Sequence, residues 1–137
     1  MKKLHIVAVF YMVAVLSAAP SSMLRAGQIR GHASALDGDT LQIGALRIRL
    51  HGIDAPEYSQ TCRSPSGSTG WPCGIQARDE LEALIDELEI TCTARARDWF
   101  GRIVATCFAA DGTDLAEALV LQGLAWAYVK YSAAYAG

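Results

Sequence analysis

No surplus of positive charge runs through this 137-residue chain: 12 Lys and Arg stand against 14 Asp and Glu. Proteins that bind nucleic acid usually carry a basic face, so the overall charge argues only mildly against a nucleic-acid partner and leaves the decision to local arrangement. No internal repeat and no low-complexity tract occurs, which excludes solenoids, propellers and compositionally driven disorder. The four cysteines contain no close Cys-x2-4-Cys knuckle, the usual mark of a four-cysteine zinc site. The apolar run from Leu4 to Leu16 is short for a membrane span, which needs about 20 residues. The length leaves room for one domain.

What is present begins with the amino terminus. Lys2 and Lys3 precede the apolar run, and the small residues Ser17, Ala18 and Ala19 follow it, the three-part pattern of a secretory signal. A buried core helix is the alternative, but the terminal position and basic start favour export to the periplasm or medium. Pro20 follows the small residues, so an uncleaved membrane anchor is a second possibility. Residues 1–26 are therefore expected to form the signal and a short linker, and residues 27–137 the domain. Without Lys2 and Lys3, ten basic residues face 14 acidic ones, a net of −4. Much of that acid sits between Asp79 and Glu89, the solvated face of a helix.

Four cysteines behind an export signal suit an oxidising compartment. Cys92 and Cys107 lie symmetrically about Trp99-Phe100. An antiparallel hairpin turning there would set them opposite each other, with Cβ atoms about 4.5–5.5 Å apart, close enough to bridge after slight adjustment. Cys62 and Cys73 would then close a loop rich in Ser, Gly and Pro.

Along the chain, Ile29 to Ala35 alternates weakly and ends at the turn Asp37-Gly38-Asp39. Thr40 to Ile43 and Leu46 to Ile53 read as strands. In the second, Leu46, Ile48, Leu50 and Gly52 share one face, and Arg47, Arg49, His51 and Ile53 the other. Ala55 to Pro72 is loop by composition. From Gln76 to Leu88, the apolar residues Ala77, Leu81, Leu84, Ile85 and Leu88 recur at helical spacing. Glu89 to Arg97 and Arg102 to Ala109 form a hairpin, Asp111-Gly112 turns the chain, and Asp114 to Gln122 is a short helix stopped by Gly123. Five short strands, with a helix between the third and fourth and another after the fifth, predict a five-stranded OB-type β-barrel with helices, an α+β fold.

Three groupings carry candidate chemistry. Asp37-Gly38-Asp39-Thr40 is by itself only a turn signal. Arg49, with Asp54-Ala55-Pro56-Glu57 after it, places an arginine on a strand, a carboxylate at its end and another three residues on. Pro56 fixes a backbone angle between the two acids. Asp98-Trp99-Phe100-Gly101-Arg102 is a hairpin turn followed by an arginine. Together they form a set for phosphoryl transfer. Asp39 and Asp54 offer oxygen ligands to a hard divalent cation, with a backbone carbonyl and waters completing its shell. Glu57 is placed to orient or deprotonate water. Arg49 and Arg102 can hold the charge that grows on phosphoryl oxygens.

These residues, with Ile48-Arg49-Leu50, Gly101-Arg102, Leu115-Ala116-Glu117-Ala118-Leu119-Val120 and Gly123-Leu124-Ala125, resemble staphylococcal nuclease-like (thermonuclease) domains. The resemblance spans roughly Ile29 to Tyr131 and keeps the family's motif order. It implies Ca²⁺ dependence and cleavage of DNA and RNA to 3′-phosphate products; single strands are the expected preferred substrate and a monomer the expected state, and no protein partner is implied. By position it implies that Asp39 and Asp54 are calcium carboxylates and Ala55 the residue lending a backbone carbonyl. It likewise makes Glu57 the general base and Arg49 and Arg102 the phosphate-binding arginines. Two departures stand out. Phe100 replaces the tyrosine that the family commonly has before Gly-Arg, keeping the ring without its hydroxyl. Family members also continue into a further helix, whereas this sequence stops at Ala136-Gly137. Phe100, Tyr128 and Tyr131 are candidates to stack on substrate, with packing at the end of a small core as the alternative for Trp126, Tyr128 and Tyr131. The rivals to a nuclease are a non-catalytic OB-type nucleic-acid-binding module and a truncated, marginally folded homologue.

Overall fold

A computed structural model of the chain describes residues 27–64, 66–67, 70–130 and 133–136. The export signal expected in residues 1–26, and Tyr131, lie outside the described residues. Five strands close a barrel in the order β1 (Gln28–Asp37), β2 (Thr40–Ile43), β3 (Leu46–Leu50), β6 (Ile103–Ala109), β5 (Glu89–Arg97). All neighbours pair antiparallel except β3 and β6, which run parallel. Helix α1 (Cys73–Ile85) stands between the third and fourth barrel strands, and α2 (Leu115–Leu121) follows the fifth. The fold is the OB-type α+β barrel that the strand pattern predicts.

Alternation explains which faces turn inward. Leu41, Ile48, Leu50, Ile90, Cys92, Ala105 and Cys107 are fully buried along the strands, and Leu81, Ile85, Leu115 and Leu119 close the core from the helices. Burying each Leu or Ile stabilises by about 1.5–3 kcal/mol. The helix begins three residues earlier than the expected Gln76, because Cys73, Ala77, Leu81 and Ile85 form the buried stripe. It ends before Leu88, where Glu87 takes a left-handed φ of 55°. Asp114 caps α2, its carboxylate accepting from the Ala116 and Glu117 amides, and Gly123 stops it at φ 71°.

The strand expected from Leu46 to Ile53 is two elements. It breaks at His51-Gly52, where Gly52 has φ 80°, and resumes as β4 (Ile53–Asp54). That turn resets the alternation: Ile53 is buried, not on the outer face with Arg47 and Arg49, and Leu46 is exposed. A second finding beyond the pattern is β7 (Trp126–Ala127), which pairs antiparallel with β4. Both disulfides have the expected partners, Cys62–Cys73 and Cys92–Cys107. Cys92 and Cys107 are directly paired across β5 and β6, with Cα atoms 4.1 Å apart.

Candidate active site

The Asp37-Gly38-Asp39 turn sits over the start of α1. A Cβ on Gly38 would lie 2.7 Å from that of Ala77 and 2.8 Å from that of Ala55, so glycine lets the turn seat against both the helix and the loop. The turn carries Asp39 inward until only 5% of it is exposed. A carboxylate so placed needs donors, and it has three. Thr40 Oγ1 donates to Oδ1 at 2.9 Å; Arg49 donates to Oδ2 at 2.7 Å and the Ala55 amide at 3.1 Å.

Arg49 lies on β3 directly opposite Thr40. Its guanidinium reaches two carboxylates: one terminal nitrogen donates to Asp39, and the other to Asp54 at 2.9 Å and to the Ile53 carbonyl at 3.2 Å. Burial alone would lower its pKa, but the paired Asp39 and Asp54 outweigh it and hold the arginine more firmly charged than usual. The break at Gly52 makes this possible, because it folds β4 back so that Asp54 meets Arg49.

Glu57 follows on the exposed loop. Asp37, through side-chain hydrogen bonding and its charge, raises the Glu57 pKa, and partial burial and the charges of Asp39 and Asp54 add to it. Asp37 belongs to the site through this contact, although in the sequence it is only the first residue of a turn. The backbone of Glu57 is pressed on the start of α1. A Cβ on Gly74 would run into the Glu57 carbonyl, so a glycine is required for the loop to close.

Arg102 enters from the β5–β6 hairpin. Asp98 organises the turn: Oδ1 accepts from the Phe100 and Arg102 amides at 3.0 and 2.9 Å, and Oδ2 from Arg102 Nε at 2.6 Å. Burial pushes the Asp98 carboxyl up, but the bonds from Arg102 outweigh it and hold its pKa below the usual range. A terminal nitrogen of Arg102 donates to Thr40 Oγ1 at 3.3 Å, and its guanidinium lies 5.5 Å from the Phe100 ring centroid. The contacts run unbroken from Arg102 through Thr40, Asp39 and Arg49 to Asp54, joining residues 62 positions apart. Thr40 and Asp98, like Asp37, carry no sequence signal that separates them from ordinary turn residues.

Residues 47–136 match the family model described as staphylococcal nuclease homologue. The chain belongs to this family. Among curated proteins, the homologue is 40% identical over 96 residues to the succinoglycan biosynthesis protein ExoI of Rhizobium meliloti (strain 1021), covering 69% of this chain and 50% of that one. It is 35% identical over 101 residues to an uncharacterized endonuclease of Escherichia coli, covering 71% and 59%. It is 31% identical over 108 residues to the micrococcal nuclease of Shigella flexneri, covering 70% and 56%. The chain thus spans between half and three-fifths of the length of these relatives.

Pairing of β4 with β7 sets Trp126 opposite Asp54 and ties the Tyr128 amide to the Gly52 carbonyl at 2.8 Å. Trp126 is 59% exposed and Tyr128 40%, so neither ring is core packing; both stand at the border of the acidic site. Among the described residues of this staphylococcal nuclease homologue, no three His, Cys, Asp or Glu side chains form a ready-made metal-binding group. The donor set nonetheless suits a hard cation. Asp37, Asp39, Asp54 and Glu57 gather at one end of the barrel, close enough for the other three to raise the Glu57 pKa. Carboxylate, carbonyl and water oxygens are the ligands calcium takes.

Proposed function

We propose that this chain is a phosphodiesterase that hydrolyses DNA and RNA, preferring single strands and leaving 3′-phosphate ends. One observation supports it above the others: Arg49 and Arg102 converge on a single network with Asp39, beside a carboxyl whose pKa is raised. A raised pKa makes Glu57 a stronger base at neutral pH than an ordinary glutamate. In the proposed reaction Glu57 takes a proton from water as the water oxygen bonds to phosphorus. The bond from phosphorus to the 5′ oxygen breaks, and that oxygen leaves as a hydroxyl after gaining a proton. Arg49 and Arg102 donate to the phosphoryl oxygens, whose charge grows in the transition state.

Asp39, Asp54 and the Ala55 carbonyl are the groups that would hold Ca²⁺, which when bound supplies charge neutralisation and polarisation of a phosphoryl oxygen. In the structure it is the Ala55 amide that touches Asp39. Phe100, Trp126 and Tyr128 are proposed to stack on bases. Export to the periplasm or medium and action as a monomer complete the reading, and the two disulfides suit that compartment. The test is hydrolysis of single-stranded DNA by the folded protein in calcium and in chelator. Calcium-dependent cleavage leaving 3′-phosphate ends is expected. Folded protein that binds the strand and never cuts it would instead be a binding module.

A further inference from the structure

A groove of about 200 Å³ lies outside the acidic site, between the start of β3 and the β5–β6 hairpin. Leu46, Arg47, Arg97, Phe100, Arg102 and Ile103 line most of it, and no carboxylate does. The register explains the clustering. Ile103 pairs with Ile48 on one side and Arg97 on the other, so Arg47 and Arg97 flank the start of β6 just where Arg102 enters it.

The charges here are disposed differently from those in the acidic site. Arg49 and Arg102 are each ion-paired with aspartate. Arg47 and Arg97 have no ion pair among the described residues; Arg97 spends one nitrogen on the Gly101 carbonyl at 3.1 Å. Two arginines without carboxylates therefore share one concavity in a chain of net negative charge. Their planar forks match phosphate oxygens. Arg102 borders both places: it lines the groove, and it reaches Thr40 and through it Asp39. Phe100, 84% exposed, forms the wall beside it.

We propose that this groove is a second phosphate subsite. Arg47 and Arg97 hold the phosphate of a nucleotide flanking the one at Arg49 and Arg102, so the strand leaves the acidic site across the hairpin. The ligand class is an internal phosphodiester of a single strand, held by a charged groove next to an aromatic ring, as single-strand binders commonly do. The inference rests on the nuclease reading and adds to it a path for the substrate.

The experiment measures binding of labelled oligothymidylates two and six nucleotides long, in calcium, on the full chain carrying Glu57→Gln to prevent cleavage. Lengthening the probe should tighten binding, and R47Q/R97Q added to this protein should cut that gain about ten-fold. Loss of one phosphate contact should also lower the slope of log affinity against log salt by about 0.7. R47K/R97K, which keeps the charge, should retain the slope and lose part of the affinity. Inorganic phosphate, as competitor, separates a strand subsite from a simple anion site: millimolar phosphate that abolishes the length-dependent gain would overturn the proposal. An unchanged gain and slope in R47Q/R97Q, with an unaltered melting curve, would overturn it as well and leave the nuclease reading standing. Failure of even the six-nucleotide probe to bind would instead remove the nuclease reading, and the subsite with it.

Discussion

In the proposed reaction Glu57 is the residue on which the chemistry turns. Replacing it with Gln removes the proposed base while keeping the shape, and turnover should fall about 10²–10⁴-fold, with binding retained; a rapid-quench assay reads this directly. The same substitution reports on electrostatics. Asp37, through a hydrogen bond and then its charge, raises the Glu57 pKa, with burial, Asp39 and Asp54 adding to it. The folded chain thus holds that proton more tightly than the unfolded chain does. This contribution to stability is full below the ordinary glutamate range and is lost as pH rises through the raised value. In chelator at pH 7, E57Q should melt about a degree or two higher than the parent, because exposure screens the repulsion it relieves. The difference should vanish as pH approaches 4. Asp37→Asn should move the acid limb of the kcat/KM profile to lower pH; an unmoved limb would remove Asp37 from the site. Asp39, Asp54, Glu57, Arg49 and Arg102 were legible as residue types at meaningful spacings. The roles of Asp37, Thr40 and Asp98 were not, because each acts through a partner that only folding supplies.

Among the elements, the β5–β6 hairpin holds Arg102 by one carboxylate. Asp98 accepts two amides of its own turn and the Arg102 guanidinium, so the turn and the arginine are aimed together. D98N keeps the shape but loses the charge. It should cost about 1–2 kcal/mol, read from the urea midpoint, and lower kcat/KM about ten-fold by leaving Arg102 less well placed. Because the folded Asp98 pKa is depressed, its contribution is present above the ordinary aspartate range and fades as pH falls. Parent and D98N should therefore converge in stability in acid. The hairpin and its facing cysteines could be read from alternation alone, since both strands and the turn are contiguous. The break in the third strand could not, because Gly52 is a punctuation mark whose effect depends on what β4 meets. It meets β7, a two-residue strand too short to carry any period.

For the whole molecule, closure of the barrel is the decisive event. Cys92–Cys107 links the two strands that close on β1 and β3, and a 15-residue separation constrains the unfolded chain by about 3 kcal/mol. C92A/C107A should therefore lose about that much, plus the packing of two buried sulfurs, seen as a lower thermal midpoint in calorimetry. Calcium with a nucleoside bisphosphate should recover part of it by binding the folded state alone. The buried stripe of α1 and most inward strand positions came directly from the sequence, Leu46 and Ile53 excepted, as did four of five barrel strands to within two residues and both disulfides. These are local properties: periods of 2 and 3.6, turn residues, and short spacings. Tertiary structure alone decided that Arg49 bridges two acids, that Asp37 raises the Glu57 pKa, and that Trp126 stands beside Asp54. It also placed Arg47 and Arg97 in one groove. Each of these joins segments that lie on different strands or loops, so no spacing along the chain encodes it. They exist only because the barrel closes and brings its turns to one end.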